Sequence, residues 1–151
     1  MEDAPREIFI ASDHRGFDAK NHLVAELNGS YSVSDLGPFE KNPDDDYNDA
    51  ALAVARAVKD TPGSLGILLC GSGNGICIQA NRQKGIRAIA PTEPDIVRLG
   101  REHNNANILC LSADFLDYNK IDNLANIFLN TDFSGEERHV RRNQRLDEEK
   151  N

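Results

Sequence analysis

No run of apolar residues approaches the roughly 18 needed to cross a bilayer as a helix, and positive charge is in deficit. Seventeen lysines and arginines face 25 aspartates and glutamates, for a formal net charge of −8. That balance disfavours non-specific attraction to nucleic acid or anionic lipid, so no nucleic-acid or membrane partner is expected. Cysteine is sparse: Cys70, Cys77 and Cys110 cannot all pair within a monomer, and none has zinc-knuckle spacing. The opening residues carry acids before any apolar stretch, unlike a secretion signal. A reducing, cytoplasmic setting is the expectation. With 151 residues there is no room for a second domain, although one domain of this length buries about two thirds of its unfolded surface.

What is present centres on Gly66-Ile67-Leu68-Leu69-Cys70-Gly71-Ser72-Gly73-Asn74-Gly75-Ile76, an apolar strand that breaks into glycines and then a helix. A thiol, free backbone N–H groups and a helix N-terminus meet there, a combination suited to an oxyanion or a phosphorylated small molecule. The loop is neither a dinucleotide fingerprint, since its third glycine comes too early, nor a Walker loop, since no Gly-Lys-Ser/Thr follows.

Around it, strands and helices alternate. Glu7–Ser12 reads as a strand, Asp13 to Gly16 as a turn and Phe17 to Asn28 as a helix. Ser32–Leu36 is a second strand, and Gly37 to Tyr47, with two prolines and three consecutive aspartates, is loop. A helix over Asn48–Lys59 has Asn48 or Asp49 available as N-cap. Leu65–Leu69 returns to strand, Gly75–Gln83 to helix and Ile86–Ala90 to strand. Pro94 opens a helix ending near His103, Ile108–Leu111 is a fifth strand, and Ile121–Leu129 lies in a fifth helix. The alternation predicts a doubly wound α/β fold, a three-layer αβα sandwich on a five-stranded parallel Rossmann-like sheet; a barrel would need about 250 residues. The tail, 135–151, has Val140 and Leu146 as its main aliphatic anchors beside Arg138, Arg141, Arg142 and Arg145. It reads as an arm docking on a second subunit or as a solvated helix.

Ligands of open α/β sheets gather at the carboxyl ends of the strands, where Asp13, His14 and Cys70 fall, and His103-Asn104, after the helix begun at Pro94, is expected to converge with them. Cys70 is either a buried small hydrophobe or a base whose thiolate the helix N-terminus stabilises. The glycines either make a tight turn or direct amides at developing negative charge. His14 and His103 are turn and helix-end residues or functional groups, and without a third ligand they argue weakly for metal catalysis. Cys77 and Cys110 read as packing.

Taken in order, Asp13-His14-Arg15-Gly16-Phe17, Asp46-Tyr47, Cys70 to Ile76, Asn81, Gly85-Ile86-Arg87-Ala88, His103-Asn104 and Arg138-His139 resemble the ribose-5-phosphate isomerase B and galactose-6-phosphate isomerase family. The resemblance runs from about residue 8 to residue 146. It implies a phosphorylated small sugar as substrate, no metal or organic cofactor, and a homodimer or tetramer with active sites at the subunit interface. The implied reaction interconverts ribose 5-phosphate and ribulose 5-phosphate through a cis-enediolate. Cys70 would then be the proton-transfer base, and the amides of Gly71, Gly73, Asn74 and Gly75 with the Ser72 hydroxyl would stabilise the enediolate. His103 and Asp13 would open the furanose ring, and Tyr47, Asn81 and Asn104 would contact the sugar. His14, with Arg138 and Arg142 from the neighbouring subunit, would face the phosphate.

Three departures from the family pattern stand out: Ser72 for threonine, Asn48 where proline is common, and Asp114 where many members carry an arginine. The last changes local charge by two units, with Arg15, Arg101 or Arg141 available to compensate. Isomerisation of allose, galactose or tetrose phosphates, and a non-catalytic sugar-phosphate binding module, are the competing readings.

Overall fold

The computed structural model describes residues 6–148; the acidic opening and the last three residues of the arm lie outside them. Strands β1 (Glu7–Ser12), β2 (Ser32–Asp35), β3 (Leu65–Cys70), β4 (Ala88–Ile89) and β5 (Ile108–Ser112) form one parallel sheet in the order β2-β1-β3-β5-β4. Helices α1 (Phe17–Leu27), α4 (Pro94–Asn104) and α5 (Tyr118–Asn130) supply Leu23, Val97, Leu124 and Phe128 to the core on one face. On the other face α2 (Tyr47–Asp60) and α3 (Asn74–Asn81) supply Val54, Ala55, Ile76 and Ala80. The expected three layers are therefore present. Helix α6 (Glu137–Glu148) follows as the expected arm.

The central strand explains its own sequence. Both faces of β3 are covered, so Leu65–Cys70 is an unbroken apolar run with every residue buried. Leu65, Ile67 and Leu69 enter the core shared with α1, α4 and α5, while Leu68 and Cys70 enter that of α2 and α3. Cys77 and Cys110 are buried, unpaired thiols in this second core, as expected of packing residues.

Boundaries differ from the sequence reading where side chains replace regular backbone bonds. Helix α2 starts at Tyr47 because Asp46 is the last extended residue, making Asp46 rather than Asn48 or Asp49 the N-cap. Strand β4 shrinks to two residues: Ile86 N–H closes a turn onto Gln83 O, and Arg87 N–H donates to Asn107 Oδ1. The Asn81 amide then brackets Ala88, Nδ2 donating to its carbonyl at 2.9 Å and Oδ1 accepting from its N–H at 2.7 Å.

One buried ion pair shapes the loop after β2. Lys20 on α1 is fully buried, and its Nζ donates to both Asp35 carboxylate oxygens and to Pro38 O, each at 2.9 Å. A buried ammonium is tolerated only when its donors are matched in this way, and here the match pins the chain beyond β2 against α1.

Candidate active site

The carboxyl ends of β1, β3 and β5 converge on the glycine loop. Asp13 N–H donates to Leu69 O at 3.2 Å, and the Asp13 carboxylate accepts from the Arg15 and Gly16 N–H groups, both at 3.0 Å. From β5, Ala113 N–H donates to Cys70 O at 2.9 Å, Asp114 N–H to Gly71 O at 3.1 Å and Ser112 Oγ–H to Gly71 O at 2.7 Å. The loop is thus clamped by its neighbour before it turns into α3.

Gly73 makes that turn in the left-handed region, at φ 84°, where a side chain is strained. Its N–H donates to Cys70 Sγ at 3.2 Å, while Asn74 N–H donates to Ser72 Oγ at 3.2 Å. Gly75 lies under the Tyr47 ring so closely that an added Cβ would sit 2.5 Å from Tyr47 Cζ. Tyr47 therefore roofs the loop, and its early entry into α2 puts it there. Asn48, the proline departure, is held by its own bond from Nδ2 to Gln79 Oε1 at 2.8 Å.

His14 is oriented by Asp45, from within the acidic loop. Asp45 Oδ1 accepts from His14 N–H at 3.0 Å and lies 2.8 Å from His14 Nδ1. This fixes the ring with Nδ1–H as donor and leaves Nε2 for a ligand. Asp114 is likewise matched: Arg15 donates to its carboxylate from Nε at 2.8 Å and also from Nη2. Of the three compensating arginines, Arg15 is the one paired with it.

Burial pushes the Cys70 thiol above its ordinary value; the amides of Ile76, Gly73 and Ser72 oppose the shift, and nearby Asp13 adds to it. The expected stabilisation of a thiolate by the helix N-terminus is present but outweighed. Burial also raises Asp13, against the Gly16 and Arg15 amides and His14. Since a raised pKa keeps the proton on sulfur at neutral pH, the thiolate fraction grows only as pH climbs past that value. Iodoacetamide labelling of Cys70, followed by mass spectrometry, is expected to be still accelerating at pH 9. A labelling rate that levels off by pH 8 contradicts this.

The remaining expected site residues lie elsewhere. Helix α4 runs back toward the start of β5, so His103 and Asn104 stand at the amino ends of the strands, as does Asn81 at the end of α3. Strands of five or six residues put that end about 15–20 Å from Cys70. There His103 stacks on His139 of α6, ring centroids 4.3 Å apart, and Asn143 Nδ2 donates to His103 O at 3.1 Å. Arg138 and Arg142 are exposed on the same helix. Burial, with His103, Arg138 and Arg142, lowers the His139 pKa, against Glu136. The expected convergence of His103 and Asn104 with Cys70 is therefore corrected for a single chain. Asn81 is tied to the sheet there, its Nδ2 and Oδ1 each bonded to the Ala88 backbone.

Among the described residues one group of potential metal ligands, His22, Glu26 and Asp122, lies on α1 and α5 rather than at the glycine loop. No described helix is long and apolar enough to cross a membrane.

The ribose/galactose isomerase family model matches residues 8–146. The chain belongs to that family. Within the ribose/galactose isomerase family it is 41% identical over 136 residues to a probable ribose-5-phosphate isomerase B of Mycoplasma pneumoniae, covering 89% of each chain. It is 35% identical to ribose-5-phosphate isomerase B of Mycolicibacterium paratuberculosis, covering 89% of this chain and 86% of the relative. The crystal structure of ribose-5-phosphate isomerase B from Mycoplasma genitalium with bound ribulose-5-phosphate superposes with a TM-score of 0.90 at 39% identity, over 96% of both chains. The Thermotoga maritima enzyme matches with a TM-score of 0.90 at 40% identity, over 95% of this chain and 99% of that one. Like its relatives in this family, the chain is an isomerase.

Proposed function

We propose that this isomerase interconverts ribose 5-phosphate and ribulose 5-phosphate in the cytoplasm, at sites shared between two copies of the chain. The observation that carries the chemistry is the Cys70 sulfur, at the end of a buried strand, facing the Gly73 amide of a loop clamped by β5. On the open-chain aldose, the minor thiolate form of Cys70 takes the C2 proton, becoming the thiol, and the C2–H electrons form the C1–C2 double bond of a cis-enediolate. Amides of residues 71–75 and the Ser72 hydroxyl stabilise the charge on O1, the O2 proton moves to O1, and the proton held by sulfur returns to C1. Atoms and charge balance without an added reactant. A carbon acid of this kind needs both base and oxyanion donors, since only charge stabilised in the transition state speeds the step.

The separation of Cys70 from His103 supports sharing. With His103, Asn104, Arg138 and Arg142 at one end of the sheet and Cys70 at the other, each site takes its second half from a partner related by two-fold symmetry. Exposed Phe39, Phe115 and Leu146, at 74%, 81% and 58%, are apolar surface for such a partner to cover. In this reading His103 and Asp13 open the sugar ring, Tyr47 and Asn104 orient its oxygens, and His14 with Arg138 and Arg142 takes the phosphate.

Turnover is tested by an aldose-to-ketose assay across ribose, allose, galactose and tetrose phosphates. The highest kcat/KM is expected on ribose 5-phosphate; no turnover on any of them sinks the isomerase reading, and a preference for another sugar replaces the substrate. Replacing Asp114 by alanine frees the Arg15 guanidinium beside Gly71. The expected result is a KM for ribose 5-phosphate lower by about fivefold with kcat little changed; a changed kcat at constant KM contradicts the placement.

A further inference from the structure

A cavity of about 530 Å³ opens at the amino ends of the strands and shares no lining residue with the candidate site. Five cationic side chains line it, Arg6, Lys59, Lys84, Arg87 and Arg101, and among the described residues no acidic side chain does. In a chain of net charge −8 this is a local reversal of sign. Such a concentration of like charge in a concave, partly desolvated space focuses an attractive potential on small anions.

The cations are incompletely matched. Arg87 has a carboxylate partner, Asp147, with both oxygens 2.8 Å from its Nη1. Arg6 comes only within 4.0 Å of Asp132, and its Nη1 is buried with no hydrogen-bond partner among the described residues. Arg101 is 4% exposed and donates only to neutral oxygens: Thr131 O at 2.9 Å, Asn105 Oδ1 at 3.0 Å and Ala106 O at 2.6 Å. Burial first, then Arg6 and Arg87 against Asp132, pushes its pKa down to about 10. A guanidinium held below its ordinary range by burial and by like-charged neighbours is relieved when an anion enters. Lys59 and Lys84 are exposed at the rim and form no salt bridge among the described residues.

We propose that this cavity binds a small, multiply charged phosphate compound, with Arg6 and Arg101 at its floor and Lys59 and Lys84 closing on it from solvent. Arginine forks match the paired oxygens of a phosphate, and the lysines add mobile point charges. The volume falls within the range of small-molecule sites, large enough for two phosphate groups and a compact organic body. Arg87 links the cavity to the rest of that end of the chain: it donates to Asn104 O at 2.9 Å, on the backbone that carries His103.

Isothermal titration calorimetry of the full chain with inorganic pyrophosphate at low ionic strength tests this. Saturable binding is expected, weakening as salt is added. Lys59→Ala combined with Lys84→Ala, both exposed and harmless to the core, is expected to weaken it about tenfold. His14→Ala combined with Arg142→Ala, which removes the phosphate ligands proposed for the isomerase site, is expected to leave it within about twofold. Absence of saturable heat overturns the proposal. So does binding that survives loss of the two lysines but disappears with His14 and Arg142, which would place pyrophosphate in the isomerase site instead.

Discussion

Replacing Cys70 by alanine is expected to lower kcat for sugar-phosphate isomerisation by about a thousandfold or more while leaving the fold intact, because a positioned general base contributes about 10²–10⁴ to such a proton transfer. Stability should change little by comparison: Cys70 ends β3, its backbone carbonyl still accepts from Ala113 N–H, and alanine fits the space of a small buried residue. The informative readouts are therefore kcat and the exchange of the substrate C2 proton with solvent deuterium, which should vanish together. Turnover equal to the parent's removes Cys70 as the base. Retained C2 exchange with lost turnover assigns proton removal to another group and leaves sulfur a role only at C1.

Mixing two inactive variants is expected to restore activity. If the Cys70 end of one chain meets the His103 end of its partner, a Cys70→Ala chain and a His103→Ala chain form a hybrid with one doubly damaged site and one undamaged site. Random pairing in equal amounts makes half the dimers hybrids, so activity should recover to about a quarter of the parent's per chain. The variants must be mixed unfolded and refolded together, or exchanged at low concentration, so that subunits redistribute. No recovery after demonstrated exchange places Cys70 and His103 in the same functional site of one chain, or removes His103 from it. Because the same experiment with two Cys70→Ala preparations must stay silent, the readout does not depend on absolute yields.

Most of the architecture is legible in the sequence because a sheet covered on both faces demands it. Leu65–Cys70 has no polar residue to spend on solvent, and the apolar stripe of Phe17–Leu27 has the helical period needed to cover it. The glycine loop is legible for the same local reason: a strand, a turn at positive φ and a helix are consecutive residues. What escapes is set by distance along the chain. Arg15 and Asp114 are 99 positions apart, and His14 and Asp45 are 31 apart, so neither pair shows as a pattern. Asp114 read alone suggests a repelled phosphate; paired with Arg15 it is a neutralised group. The expectation that His103 joins Cys70 rests on ligands gathering at strand carboxyl ends, but His103 closes a helix, and a helix returning to the sheet ends beside the amino ends of the strands. That geometry follows from parallel connection rather than from any residue near His103. Asn81, attractive as a sugar ligand by its motif, is claimed by the backbone of Ala88.

The same Asn81 bonds close one route by which copies of a chain can pair. The outer side of a terminal strand normally offers free amide and carbonyl groups to any extended segment that drifts alongside, a route to uncontrolled association. At β4 the side chain of Asn81 occupies both groups of Ala88, and only one further residue of the strand remains. A second molecule finds no ladder to extend there, so the pairing of copies proposed above is left to helical faces and loops, where a contact is closed and specific instead of open-ended.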